Sequence, residues 1–392
     1  MKKIICILLV QLMLLSSMAG CAAAPGNTNT EISLEGTPTV FSELTGIPLD
    51  KTVMKVGGRE ISAEQFFYWV CYVCGSLEHN MLSDYNSYGM YGSYIDRDTM
   101  KVQWDSDYNG VPLVEYALAE AKSTVKYYTA IEEAAEKLGV TLTDADRKAM
   151  KQVRDQAVKE MGGEKTYPLY LQMLGVSEET FEKISAYPYL YNELLNLVFQ
   201  EGSPLYLADE DYNNYATYAD QILIATQNMQ SGEKLPPDAY LEKYNLAEDI
   251  LKQLQSAADP IATFQKLADE YSEDPGRVAN PNGYVYTPGT MVGEFESAAA
   301  ALEPGQISDL VQSDYGFHII LRKDLMEVLN KSEDQKKGIA REYLDDYLAK
   351  QRAASEVEYD SCLKDINWSD FYIRYTAVVD KLMEQMPGAA EK

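Results

Sequence analysis

The chain has 392 residues, enough for two or three domains, and its 46% apolar and 24% charged residues exclude a wholly disordered protein. Asp and Glu number 61 against 34 Lys and Arg, a formal charge of −27, so a phosphate backbone gains nothing by binding it and nucleic acid is excluded as a partner. The two histidines, His79 and His318, are too far apart for an H-E-x-x-H protease and argue against zinc held by a histidine pair.

Lys2 and Lys3 precede an apolar run from Ile4 to Leu15, broken only by Gln11. The run is too short to span a bilayer and reads as an export signal over residues 1–20. Small residues before Cys21 resemble a bacterial lipobox, in which the cysteine is lipidated and becomes the new N-terminus. Met18 stands where Leu is commoner, and an ordinary cut near Ala24 is the alternative. Residues 21–45, rich in Ala, Pro, Gly, Asn and Thr, then form a lipidated, flexible tether.

Residues 46–210 read as a helical module. A strand from Val53 to Arg59 enters the Gly57-Gly58 turn, and Ser62 caps a helix whose Phe66, Val70, Val73 and Leu77 recur at helical spacing. Asn80 to Asn109 is loop-like, Val114 to Leu138 helical, and Thr143 opens a helix that Gly162-Gly163 stops. A further helix opens at Ser177 and is expected to kink or restart at Pro188. From Tyr218 the texture changes. A strand at Gln221–Ile224, helices over Asp238–Ala258 and Pro260–Tyr271, a strand at Tyr284–Tyr286, a short helix around Phe295 and a strand at Phe317–Leu321 make a small α/β domain over 215–326. Residues 330–392 are again helical, with Tyr343, Tyr347 and Trp368 as apolar anchors.

Two short motifs invite chemistry and lack its requirements. Cys71-Tyr72-Val73-Cys74 has redox spacing, but it lies mid-helix and two cysteines fall short of four zinc ligands, so core packing is expected. Asp105-Ser106-Asp107-Tyr108-Asn109-Gly110 matches the first half of an EF-hand loop. Its twelfth position is Tyr116, with Glu115 one residue early, so a polar loop rather than a calcium site is expected. No P-loop, dinucleotide fingerprint or G-x-S-x-G occurs, and no cofactor or metal is expected.

The informative stretch runs from Tyr271 to Leu321. Tyr271-Ser272-Glu273-Asp274-Pro275, Asn282-Gly283-Tyr284, Gly289-Thr290-Met291-Val292-Gly293-Glu294-Phe295-Glu296, Leu302-Glu303-Pro304-Gly305-Gln306-Ile307-Ser308 and Tyr315-Gly316-Phe317-His318 follow in that order. This ordered series resembles the parvulin family of peptidyl-prolyl isomerases. The signal, the helical flanks and the central domain resemble foldase lipoproteins and periplasmic parvulin chaperones. The resemblance implies an α+β multidomain fold. One helical chaperone module is built from the N- and C-terminal segments, and a parvulin domain with an antiparallel sheet and surrounding helices lies between them.

Carried onto these positions, the resemblance gives Met291 and Phe295 as the floor for a substrate proline, with Tyr284 and Phe317 as further substrate-binding residues. Asp274 and His318 fall on catalytic positions, and Gln221 stands where the family has a second histidine. The implied activity is non-covalent cis–trans isomerisation of X-Pro bonds in unfolded or nascent exported polypeptides. It would take place at the extracytoplasmic face of the cell membrane, with a homodimer compatible. A holdase whose parvulin domain only binds chain is the alternative, and a solute-binding lipoprotein a weaker one. Tyrosine outnumbers phenylalanine 30 to 9, which suits either gripping of varied chains or half-exposed packing.

Overall fold

The computed structural model describes residues 39–385, so the export signal and the lipidation expected at Cys21 lie outside the described residues. Helix α1 (Val40–Thr45) leads to a hairpin of β1 (Thr52–Val56) and β2 (Arg59–Ser62), and Ser62 then caps α2 (Ala63–Tyr88) by accepting from the Gln65 amide. Two short hairpins follow, β3 (Ile95–Asp96) with β4 (Lys101–Val102) and β5 (Asp107–Tyr108) with β6 (Val111–Pro112). Then come α3 (Leu113–Leu138), α4 (Asp144–Glu160), α5 (Tyr167–Leu174) and α6 (Glu178–Val198). Thr143 starts α4 with a reciprocal capping box to Asp146.

Three expectations change here. The supposed loop from Asn80 is helical to Tyr88, because Met81 is buried in the core and Gly89, at φ 69°, closes the helix onto the Tyr85 carbonyl. The EF-hand-like stretch turns instead as the β5–β6 hairpin through Asn109 and Gly110, with Asp107 accepting from the Gly110 amide and Asp105 from Ser369. Helix α6 runs unbroken through Pro188. Tyr187 beside it stacks on Tyr128 and donates to Glu132 at 2.8 Å, and this packing holds the turn that lacks a backbone donor.

The next elements are β7 (Thr217–Ala225), α7 (Pro237–Ser256), α8 (Pro260–Tyr271), β8 (Tyr284–Tyr286), α9 (Gly293–Ala300), β9 (Val311–Gln312), β10 (Gly316–Arg322) and α10 (Met326–Leu329). Helix α11 (Glu333–Ala354), β11 (Val357–Tyr359) and α12 (Trp368–Met383) complete the described chain.

These elements form two compact units. One runs to Asn196 and resumes at Tyr347, and the other is Leu197–Asp346. In the first, β11 pairs antiparallel with β1 (Met54 opposite Tyr359), so the C-terminal segment completes a sheet of order β11-β1-β2. Its core gathers Phe41, Phe66 and Phe67 with Trp368, Phe371 and Tyr375, which places α12 among residues from the other end of the chain. Cys71 and Cys74 are buried and free in α2, and burial pushes both thiols up, away from the reactive thiolate.

The second unit holds an antiparallel sheet of order β8-β7-β10-β9. Side chains alternate across it. One face carries Ile222, Ile224, Phe317, Ile319 and Leu321 against Ile250, Phe264 and Leu267 of α7 and α8. The other carries Ala219 and Ile320 against Phe295 and Ala299 of α9. The fold is α+β, as the motif series implied.

Candidate active site

The alternation that builds this sheet also sets the site. His318 is opposite Leu223 and Ile320 opposite Gln221 in the β10–β7 register, so the imidazole and the amide project from the α9 side. His318 is 3% exposed, its ring edge-on to Phe295 at 6.0 Å between centroids. Gln221 reaches it along the strand pair, and Gln221 Oε1 lies 2.7 Å from His318 Nδ1. The other end of the amide, Nε2, donates to Asp274 Oδ2 at 2.8 Å. Asp274 also accepts from the Tyr284 hydroxyl at 2.7 Å and from the Gly276 amide at 2.9 Å. On the far side of the ring, Ser313 Oγ lies 2.6 Å from His318 Nε2.

The direction of every hydrogen bond in this chain follows from its acidic end. Asp274 accepts from three neutral donors, so the Gln221 NH₂ must face it and the Gln221 carbonyl must face the ring. Nδ1 of His318 is therefore the protonated nitrogen. Nε2 is left as an acceptor for the Ser313 hydroxyl, whose oxygen in turn accepts from the Tyr315 amide at 3.1 Å. A neutral imidazole satisfies all of these bonds, and burial holds the His318 pKa down to about 4 against the smaller opposing pull of Asp274 and Glu294. Burial first, then the Asp274 carboxylate, pushes the Tyr284 phenol up, keeping its proton available for donation.

The loop above is held as firmly. Glu296 accepts from the Gly289 and Met291 amides at 3.0 and 2.8 Å, which fixes the turn that carries Met291 against the Tyr284–Phe295 cluster. Beneath the Asp274 turn, Asp220 is 1% exposed and meets Arg277 at 2.8 Å and Gln265 at 2.8 Å. Gly283, at φ +94°, lies so close to β7 that a Cβ there would come within 2.6 Å of the Ala219 carbonyl. The Asn282–Tyr284 turn thus rests on the strand that carries Gln221.

Of the residues expected from sequence, Gln221, Asp274, Tyr284, Met291, Phe295 and His318 come together on one face. Phe317 does not. As the neighbour of His318 on a strand it points the opposite way, packing on Tyr240 and Tyr244 at 5.4 Å ring separations, so it is a core residue rather than a substrate contact. Ser313 and Glu296 were not singled out from sequence. Ser313 lies two residues before the Tyr315-Gly316-Phe317-His318 motif, outside the motifs that carry the resemblance.

This sheet-and-lattice arrangement defines the class, and residues 222–324 match the family model for Rotamase, the PPIC-type PPIASE domain. The second unit is a parvulin-type domain. Among known proteins the chain is similar to Foldase protein PrsA of Geobacillus kaustophilus, 41% identical over 92 residues, which are 22% of this chain and 32% of that protein. It is also similar to Foldase protein PrsA 3 of Bacillus cereus, 28% identical over 235 residues, 58% of this chain and 72% of that one. A solved structure of peptidylprolyl isomerase PrsA from Bacillus cereus aligns over 73% of this chain and 97% of its own, at 21% identity and a TM-score of 0.31. The chain spans about a third of the length of the first of these curated relatives.

Proposed function

We propose that this protein is a lipid-anchored extracytoplasmic foldase whose second unit catalyses cis–trans isomerisation of X-Pro bonds in exported polypeptides, while the first unit binds unfolded chain. The observation that supports it best is the closed series Tyr284–Asp274–Gln221–His318–Ser313 beneath an apolar floor of Met291 and Phe295. Rotation about a peptide bond meets a barrier of about 18–20 kcal/mol because the planar amide is conjugated. An apolar floor takes the prolyl amide out of water, where the planar, charge-separated form is solvated best, and so favours the twisted form. Lowering the barrier by about 5–6 kcal/mol gives roughly a ten-thousandfold acceleration at tenfold per ~1.4 kcal/mol. On this reading His318, Gln221 and Asp274 act through their mutual hydrogen bonds, which fix the wall of the pocket, and no covalent step is required.

The pairing of β11 with β1 supports a binding module shared by both ends of the chain; the compact units divide at Asn196 and Tyr347, so residues 197–210 and 330–346, expected in that module, group with the second unit instead. The anchor we assign is lipid on Cys21, supported by the small residues before that cysteine and the short apolar run ahead of them. The specific feature favouring the holdase alternative is the amide at 221 in place of the second histidine. The experiment that separates the two is isomerisation of X-Pro peptides by the purified chain. Acceleration that is lost in Met291→Ala and in His318→Ala supports the enzyme. No acceleration on any X-Pro peptide, with chain binding intact, leaves the holdase.

A further inference from the structure

The isomerase cleft is bordered by carboxylates whose charge no neighbouring cation cancels. Asp274 is held by three neutral donors and by no cation. Glu294 is exposed in the first turn of α9, one residue before the floor residue Phe295, and both carboxylates act on the His318 ring electrostatically. Among the described residues, neither is in an ion pair, and Glu296 satisfies itself on two backbone amides.

None of the cations nearby is paired with either carboxylate. Arg277, three residues after Asp274, spends its guanidinium on Asp220 and Asp269, both at 2.8 Å. Lys243 is taken by Glu273 and Lys234 by Asp314. Lys323 lies over the Tyr218 ring and on the Asn282 carbonyl. Arg322 is on the same face of β10 as His318, but four residues along, about 13 Å at the rise of a strand, and buried beside Tyr286.

We infer that this cleft selects its substrates by charge, favouring X-Pro sites flanked by Lys or Arg and disfavouring those flanked by Glu, Asp or a phosphorylated side chain, with Glu294 as the residue that sets the preference. The inference rests on the isomerase reading above and names the substrate class of that same site. The partners that hold Asp274 are neutral, so the charge of the carboxylates bordering the cleft remains to be met by the substrate. An incoming cation next to the proline is attracted by these carboxylates, and an incoming anion is repelled by them. Two carboxylates bordering the cleft, one of them exposed, are expected to give about a tenfold spread in kcat/KM between a Lys-Pro and a Glu-Pro peptide at low salt, shrinking as salt is raised.

The test uses the full chain with three peptides that differ only in the residue before proline, Lys, Gln or Glu, at 20 mM and 500 mM salt (conditions chosen at roughly twofold and half the ~10 Å Debye length of 0.1 M). The expected order is Lys, Gln, Glu, compressed at high salt. Glu294→Gln should narrow the spread and Glu294→Lys invert it, each read as a ratio to the Gln-Pro rate of the same variant. Equal rates for the three peptides overturn the charge selection and leave the isomerase standing. If no peptide is turned over, the isomerase reading fails, and the affinities of the same peptides by calorimetry decide this inference. Tighter Lys-Pro binding that Glu294→Lys inverts supports it, and equal affinities refute it.

Discussion

Acidification should weaken the second unit through His318, and by an amount the structure sets. The imidazole is buried, donates from Nδ1 to Gln221 and accepts at Nε2 from Ser313, so a second proton would meet a hydroxyl turned to donate and a ring cut off from water. Its pKa in the fold is about 4, against about 6.5 for a histidine in an unfolded chain. A base with a lowered folded pKa binds more protons when unfolded. Stability is therefore full above pH 6.5 and is lost as the pH falls from there towards 4. Between pH 7 and pH 5 the loss is about 2 kcal/mol, and about 3 kcal/mol once the pH is below both values. The three tryptophans, Trp69, Trp104 and Trp368, all lie in the first unit, so their fluorescence does not report on this one. Hydrogen exchange of the β7 and β10 amides does, compared at pH 7 and pH 5 after correction for intrinsic rates. Carboxylates elsewhere also respond to pH, so the informative quantity is the difference between the wild type and His318→Gln. The variant should lose about 2 kcal/mol less between the two pH values. Equal losses, or an NMR titration of His318 with a midpoint near 6.5, would refute the neutral buried lattice.

Other outcomes follow from the same contacts. Gln221→Leu strands the His318 Nδ1 proton and removes one donor from Asp274, costing about 1–3 kcal/mol by hydrogen exchange and lowering the isomerisation rate, whereas Gln221→His should keep both. Arg277→Met leaves the Asp220 carboxylate buried without its cation, a loss of about 3–5 kcal/mol by calorimetry, and adding Asp220→Asn should recover part of it. Met291→Ala should lower kcat/KM on X-Pro peptides with little change in stability, and Phe317→Leu should do the reverse, since the two residues lie on opposite faces of the sheet. Cys21→Ser should move the protein from the membrane to the soluble fraction; retention in high salt would contradict the lipid anchor.

The sequence exposes elements that carry their own signals and hides those that depend on distant partners. Ser62 and Thr143 cap their helices because a cap needs only the next three residues. By contrast β11 is Val357-Glu358-Tyr359, too short and too polar to read as a strand, and it exists because β1 supplies the pairing about three hundred residues earlier. Pro188 reads locally as a kink or a restart, yet the helix does not restart there, and Tyr187 beside it packs on Tyr128 and bonds Glu132. The candidate site was legible as a set of positions in a motif series, but not as faces. Met291, Phe295 and His318 converge because of where α9 and β10 meet. Phe317 stands next to His318 in the chain and behind it in the sheet, a distinction that strand period alone would have made.

The amide at 221 bears on what the lattice requires. A neutral histidine in that place would accept from His318 Nδ1–H with one nitrogen and donate to Asp274 with the other. That is the same polarity Gln221 supplies with its carbonyl and NH₂. The two side chains differ in what they can become. Histidine can take a second proton in mildly acidic surroundings, which would turn its acceptor nitrogen into a donor facing another donor. Glutamine cannot. The Gln221 amide keeps its polarity at any pH, and His318 is left as the one imidazole in the series. The substitution thus keeps the hydrogen-bond geometry of a histidine pair while removing one of its two titrating members. On the isomerase reading, a pocket that works by shape and exclusion of water, with no proton transferred to or from the substrate, keeps its hydrogen-bonded wall through that exchange.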